Sequence, residues 1–366
     1  MSKNLALFAI KEYEVVEKKL SSERLSHFPE LRVDPAAAHL MEPSPYSGVV
    51  AAMVSPCRKP GIVDPIATEK LCRNLCEHGC NGIFVASSTG EALLLAEDDR
   101  RVLTVATRKA ITGDRMIYAG VSGFGLKQTI RYACNAAEDG ANVAVVMAPF
   151  LFKVSQVELM TYFLSVADAS PIPIALYHHP KMATSIDVAT IARVAEHENI
   201  VAIKDTSPDI NRAKAVIEAA SGKRFSVLQG SEKLLYESLQ LGGAGMVTAL
   251  AGFAPEVHAA LYRAVRSHRQ DLAQKCQAHI LKLWEILHFP PVHESISAFA
   301  YAVKVAAQRR GWLECTDVMM PGYEASADFR KSILDHLAAN EMPNLEAIDE
   351  HHSVPPLKAS MQPRVA

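Results

Sequence analysis

Three short segments of this sequence carry side chains able to do covalent and proton-transfer chemistry on a small carbonyl compound. In Asn199-Ile200-Val201-Ala202-Ile203-Lys204-Asp205-Thr206 a lysine closes an apolar run. Apolar walls remove the hydration that favours an ammonium, leaving a better amine nucleophile. Imine formation with a carbonyl needs that nucleophile. The bland alternative is a strand-end lysine that reaches solvent or pairs with Asp205. In Val85-Ala86-Ser87-Ser88-Thr89-Gly90-Glu91, adjacent hydroxyls and backbone N–H groups beside a glycine form a cradle suited to a carboxylate. A common Ser/Thr-rich turn would read the same way. In Tyr177-His178-His179-Pro180 the phenol can relay a proton if a neighbouring hydroxyl or charge assists it. Successive strand side chains alternate sides, so the two histidines make a poor pair for one metal ion. One imidazole contacting substrate, with the other packed or solvated, is the expectation.

These segments need a scaffold that brings them together. Short, nearly continuous apolar runs recur at Val49–Val54, Gly82–Ala86, Met116–Val121, Val143–Met147, Ile172–Tyr177, Ile200–Lys204, Phe225–Leu228 and Met246–Thr248. Such runs fit parallel strands covered on both faces. Helical patterns such as Glu97–Ile111 and Asp209–Ala220 separate them. Three helix ends echo one another at His78-Gly79, Asp139-Gly140 and Gly242-Gly243, as loops leading from helix to strand require. Eight such units predict a (β/α)8 TIM barrel. A doubly wound open sheet is the alternative, weakened by the lack of G-x-G-x-x-G after the first strand. The three chemical segments then close the second, fifth and sixth strands, on the face where barrel active sites lie.

The chain is expected to divide into an N-terminal extension over 1–46, the barrel over 47–255, a C-terminal helical region over 256–340 and a flexible tail over 341–366. The extension is expected to hold a charged, loosely amphipathic helix around Ile10–Leu20. Further helices are expected near Glu256–Arg266, Asp271–His288 and Ser295–Arg310, as extra packing or an assembly surface.

Composition narrows the partners. With 38 basic against 40 acidic residues in 366, the net charge of −2 offers no footprint for nucleic acid or an anionic membrane. No apolar run approaches the roughly 20 residues that span a bilayer. The run from Leu5 to Ile10 is too short for a signal-peptide core, and Glu12, Glu14 and Glu17 follow it. A cytoplasmic location is therefore expected. The seven cysteines are odd in number and loosely spaced, which argues against a disulfide scaffold. Cys72, Cys76 and Cys80 recur every fourth residue, a stripe that suits packing better than a tetrahedral zinc site. No metal or cofactor is expected.

From about Ser47 to Leu337 the chain resembles the dihydrodipicolinate synthase / N-acetylneuraminate lyase family of class I aldolases. That family carries G-T/S-T-G-E, Y-N-x-P and I-K-[DE] segments in this order. Here they stand as Ser87-Ser88-Thr89-Gly90-Glu91, Tyr177-His178-His179-Pro180 and Ile203-Lys204-Asp205. Pro149 with Ser155-Gln156, and Gln229-Gly230-Ser231-Glu232 with Gly243-Ala244-Gly245, add to the likeness. The resemblance implies that Lys204 attacks the keto carbon of pyruvate or a 2-keto-3-deoxy acid, and that Tyr177 shuttles the proton. It implies that Ser88 and Thr89 hold the carboxylate, with Gly90 letting the backbone approach. His178, Met182, Gly230, Glu232 and Thr248 complete the expected substrate contacts. It also implies a homo-oligomer, a dimer or tetramer.

Departures from the pattern bear on the substrate. The synthases carry a second tyrosine in a P-Y-Y pattern after the fourth strand, where this chain has Pro149-Phe150-Leu151. They carry an arginine two residues after the proline of Y-N-x-P, where this chain has Met182 beside Lys181. Losing both groups argues against lysine biosynthesis. The sialic acid lyases carry G-Y-D-E after strand seven, where Gly230-Ser231-Glu232-Lys233 keeps one acid. The expectation is an aldolase or dehydratase of a shorter 2-keto-3-deoxy acid. Dihydrodipicolinate synthase or N-acetylneuraminate lyase activity, a non-catalytic ligand-binding barrel and a metal-dependent aldolase are the competing readings.

Overall fold

The computed structural model describes residues 44–341. The helix expected around Ile10–Leu20, and nearly all of the proposed extension and tail, lie outside the described residues. Eight parallel strands form a closed barrel: β1 (Gly48–Ala52), β2 (Gly82–Val85), β3 (Met116–Gly120), β4 (Val143–Met147), β5 (Ile174–His178), β6 (Ile200–Asp205), β7 (Ser226–Gln229) and β8 (Gly245–Thr248). Each pairs with the next in sequence, and β8 returns to β1 from Gly48↔Gly245 to Ala51↔Thr248. The fold is the expected TIM barrel, and every apolar run lies within two residues of its strand at each end. A hairpin of Cys57–Lys59 and Ile62–Val63 stands outside it.

Alternation along the strands makes two cores. Val50, Phe84, Tyr118, Val145, Ala175 and Leu228 fill the barrel interior. Their neighbours, including Ile83, Ile117, Leu176 and Ile203, face the surrounding helices. The helices of the eight units are α1 (Pro65–Glu77), α2 (Glu97–Ala110), α3 (Leu126–Glu138), α4 (Gln156–Ala169), α5 (Val188–Val194), α6 (Ile210–Ala220), α7 (Leu235–Gln240) and α8 (Pro255–Arg266). Asp64 starts α1 by accepting from the N–H groups of Ile66 and Ala67, and Ser155 with Glu158 forms a reciprocal cap on α4. Gly79, Gly140 and Gly242 all take positive φ, which explains the repeated glycine at helix ends.

Cys72 and Cys76 lie on the inner face of α1, with Cys80 just beyond it, and all three are buried. Burial pushes the Cys72 thiol up to about 12 and that of Cys76 to about 11, so both behave as small hydrophobes. Among the described residues no helix is long and apolar enough to cross a membrane.

Among the described residues three helices follow the barrel: α9 (Gln270–Trp284), α10 (Ile296–Arg309) and α11 (Ala327–Ala339). The first helix expected after β8 proves to be α8, the barrel's own eighth helix, which packs on β1. The helix expected over Asp271–His288 ends at Trp284 and tightens into a 3-10 turn over Glu285–His288. Helix α11 was not anticipated. Its apolar stripe is the narrow one of Phe329, Ile333 and Leu337.

Candidate active site

The three chemical segments meet at the C-terminal end of the barrel. Strands β5 and β6 pair with Tyr177 opposite Lys204, and both side chains turn inward above Ala175 and Ala202. Lys204 is 5% exposed. Its Nζ lies 4.3 Å from the centroid of the Tyr177 ring and 5.4 Å from that of Phe84. These rings supply apolar walls whose π faces tolerate a cation. Asp205 faces outward, where its carboxylate accepts from Arg212 Nε at 2.9 Å and from the Ser207 N–H at 2.8 Å. Lys204 therefore points into the barrel and leaves Asp205 to Arg212.

The loop after β2 brings the hydroxyls. Ala86 turns the chain with φ +49°, a conformation a non-glycine residue adopts at some cost. Ser88 Oγ then lies 2.9 Å from Tyr177 Oη. The hydroxyl partner that a phenolic relay needs is thus present. The Gly90 N–H donates to Ser87 Oγ at 3.1 Å, and Ser55 Oγ donates to the Gly90 carbonyl at 2.6 Å. A Cβ at Gly90 would stand 2.8 Å from the Met53 carbonyl oxygen, so only glycine fits there. Thr89 is buried in the same turn.

Behind this loop sits a fully buried ion pair. Lys304 on α10 reaches Glu91 Oε2 at 3.3 Å and donates to the Asp317 carbonyl at 2.6 Å. The Met319 N–H donates to Glu91 Oε1 at 2.9 Å. Burial raises the Glu91 pKa, and the Lys304 charge opposes that rise. The C-terminal helices also reach the β7 loop, where Gln277 Nε2 of α9 donates to the Glu232 carbonyl at 2.7 Å. They brace two loops of the site, a role beyond the packing or assembly expected of them. A lysine within Ala300-Tyr301-Ala302-Val303-Lys304-Val305-Ala306 was the signal for it.

Gly230 and Glu232 belong to the same end of the barrel. A Cβ at Gly230 would stand 2.4 Å from Thr206 Oγ1 and 3.0 Å from Lys204 Cε. Glu232 is buried, accepts from the Ala249 N–H at 3.2 Å and feels the Lys204 charge. Burial raises its pKa, and Lys204 and the backbone N–H groups counter that. Met182 lies in the loop after β5, partly open to solvent.

Two expected substrate contacts are not brought to the cluster. His178 is opposite the outward Asp205, and its Nδ1 accepts from the Ile186 N–H at 3.3 Å. Thr248 is opposite the outward Ala51, and its Oγ1 accepts from the Ala251 N–H at 3.3 Å. Strand alternation decides both cases, and it turns His179 inward in place of His178. His179 lies edge-on to Tyr177 with ring centroids 5.9 Å apart. A small pocket lined by Glu97, Arg100 and Tyr132 among others meets the loop after β2 only at Ala86 and lies apart from Lys204 and Tyr177.

Residues 45–340 match the Dihydrodipicolinate synthetase family. The chain belongs to that family. It is 30% identical to an uncharacterized DapA-like lyase of Thermococcus onnurineus over 284 residues, 77% of this chain and 94% of that one. It is 28% identical to a 4-hydroxy-tetrahydrodipicolinate synthase of Stenotrophomonas maltophilia, across 83% of this chain and 99% of the other. Among solved structures it superposes with a TM-score of 0.75 and 25% identity on YagE, a prophage protein of the dihydrodipicolinic acid synthase family from E. coli K12. That match covers 80% of this chain and 98% of YagE, which was crystallised with pyruvate. As a member of the family the chain is an enzyme, a class I lyase that works on a keto acid through a Schiff base.

Proposed function

We propose that the chain is an aldolase or dehydratase of a 2-keto-3-deoxy acid, releasing or using pyruvate, with Lys204 as the imine-forming lysine. One observation carries this reading. A nearly buried lysine stands over the ring of a tyrosine whose hydroxyl is 2.9 Å from Ser88 Oγ. In the aldolase direction of cleavage, the Lys204 amine adds to the keto carbon and water leaves, giving an imine. Tyr177 Oη takes the proton of the C4 hydroxyl as the C3–C4 bond breaks. The electron pair of that bond flows into the protonated imine, giving an enamine and an aldehyde. Protonation at C3 and hydrolysis then release pyruvate and the free lysine. Ser88 Oγ keeps the phenol oriented and passes its proton onward, while Thr89 and Gly90 line the carboxylate cradle.

Substrate choice rests on what the site lacks. Met182 supplies no cation for a second carboxylate, and Leu151 stands where the synthases place a second tyrosine. Glu232 and Gly230 are the remaining members of the proposed substrate set. The pyruvate bound by YagE supports a three-carbon keto acid as one product. We further propose a homo-oligomer in the cytoplasm. Phe124, Leu151 and Phe152 support assembly, being 76%, 76% and 80% exposed around the β3 and β4 loops.

The test is intact-mass spectrometry after incubation with pyruvate and borohydride, followed by peptide mapping. A reduced pyruvyl adduct on Lys204, absent from Lys204→Ala together with turnover, is the expected result. Normal turnover by Lys204→Ala would remove the whole mechanistic reading.

A further inference from the structure

The alternation that turns Tyr177 into the barrel places His179 on the same side, one step nearer the mouth. The Thr206 N–H donates to the His178 carbonyl at 3.0 Å, so β5 and β6 release His179 and Thr206 side by side above the Tyr177–Lys204 pair. The His179 carbonyl accepts from the N–H groups of Met182 and Ala183, which fixes the loop that carries it. Its Nδ1 is buried and hydrogen-bonds no described residue, and the same holds for Thr206 Oγ1. Burial, then the Lys204 charge, pushes the His179 pKa down to about 4, against a small opposing pull from its own backbone carbonyl. The ring is therefore neutral near pH 7.

A buried polar atom without a partner is costly, and at a site it marks a place that a ligand fills. With the keto carbon at Lys204 Nζ and the carboxylate towards Ser88–Gly90, the rest of the substrate leaves towards the mouth, past His179. A neutral imidazole offers one donor and one acceptor, which match a hydroxyl group. It carries no charge with which to hold a second carboxylate.

We propose that His179 is a specificity-determining residue, hydrogen-bonding a hydroxyl carried beyond C3 of the imine-bound keto acid and so selecting hydroxylated keto acids over their alkyl counterparts. This rests on Lys204 being the imine-forming lysine. Sites that hydrogen-bond a substrate hydroxyl reject analogues lacking it, because the buried partner is then left unsatisfied.

The experiment is borohydride labelling of Lys204 at increasing concentrations of 2-keto-3-deoxygluconate, 2-ketohexanoate and pyruvate, read by mass spectrometry. Wild type, His179→Leu and His179→Gln are compared. Wild type is expected to reach half-maximal total labelling at a roughly 10- to 100-fold lower concentration of the hydroxylated acid than of the alkyl one. His179→Leu abolishes that preference and His179→Gln restores part of it, while half-labelling by pyruvate stays the same in all three. A wild type indifferent to the hydroxyls, or a preference that survives in His179→Leu, overturns the proposal. Equal weakening with pyruvate also overturns it, since the residue would then be merely structural. Failure of pyruvate to label wild-type Lys204 overturns the imine reading itself, and is told apart by that result.

Discussion

Ser88 and Tyr177 are 89 residues apart in the chain, yet their hydroxyl oxygens lie 2.9 Å from each other beside Lys204. Either oxygen can donate, so a proton that reaches the phenol has a second oxygen to move to. Tyr177→Phe removes the relay atom and is expected to slow turnover by roughly 10² or more. Ser88→Ala keeps the phenol but frees its orientation, with a loss of about tenfold. Both variants should still be labelled by pyruvate and borohydride. Steady-state kinetics decide it: full activity of Tyr177→Phe would move the relay to another group and leave Lys204 in place.

The Glu91–Lys304 pair ties the proposed carboxylate cradle to α10. Lys304→Met leaves a buried carboxylate without its cation, a change that costs about 3–5 kcal/mol in comparable buried pairs. Urea denaturation should show that loss, and the KM for the keto acid should rise because Ser88–Gly90 lose their anchor. Glu91→Gln with Lys304→Met should recover part of the stability. No recovery in the double variant would mean that the pair does not act as a unit.

The strands were legible because each is a short apolar run bounded by turn residues, and Val143–Met147 stands as its own sequence delimits it. Lys204 and Tyr177 were legible for the same reason, each lying at the end of such a run. The choice between His178 and His179 was also within reach. Counting by twos from Tyr177 puts His179 on its side of the strand and His178 on that of Asp205. Counting back from Thr248 gives no such answer, since which face of β8 is inner depends on its register with β1. Lys304 stands out as a lysine inside an apolar helix, but its pairing was not legible, because Glu91 lies 213 residues away and meets it only through tertiary packing.

Buried histidines give the fold an acid limit. Burial pushes His178 down to about 3 and His258 to about 4, below the ordinary value of 6.5. Between these values the unfolded chain binds protons that the folded chain refuses, so stability rises with pH across that window. Lowering the pH from 7 through 6.5 towards 4 should therefore destabilise the protein, by up to about 1.4 kcal/mol per pH unit for each residue. The carboxyls of Glu91, Asp205 and Glu232, raised by burial, work in the opposite sense nearer their own range. Urea titrations at several pH values should show a shallower decline for His258→Asn than for wild type. An identical slope would refute the assignment.

Exposed aromatic and aliphatic groups at the β3 and β4 loops make the proposed assembly testable. Phe124 lies 5.7 Å from Phe150, centroid to centroid, with Leu151 and Phe152 next in the chain. A carboxylate placed in such a patch must be desolvated when two copies meet. If the protein is the proposed homo-oligomer, Phe152→Glu should shift its sedimentation coefficient towards that of a monomer while leaving helical content unchanged. A wild type that sediments as a monomer would show instead that this patch has no copy to meet.

Gly230 tests how tightly Lys204 is held. A methyl group there would stand 2.4 Å from Thr206 Oγ1, 3.0 Å from Lys204 Cε and 3.2 Å from the Asp205 carbonyl oxygen. The first two neighbours are side chains and can move, but the third is backbone in β6, fixed by the 2.7 Å bond from the Gly230 N–H. Relief must therefore come from Lys204 and Thr206 swinging away. Displacing a reacting group by about 1 Å can cost on the order of 10² in rate. Gly230→Ala should lower the rate of borohydride labelling by pyruvate by roughly that factor. Its melting temperature should fall by only a few degrees, since the outer core on the far side of β7 is untouched. Labelling at the wild-type rate would show that Lys204 reaches the keto carbon from more than one position, and that its placement by β6 and β7 is not what sets reactivity.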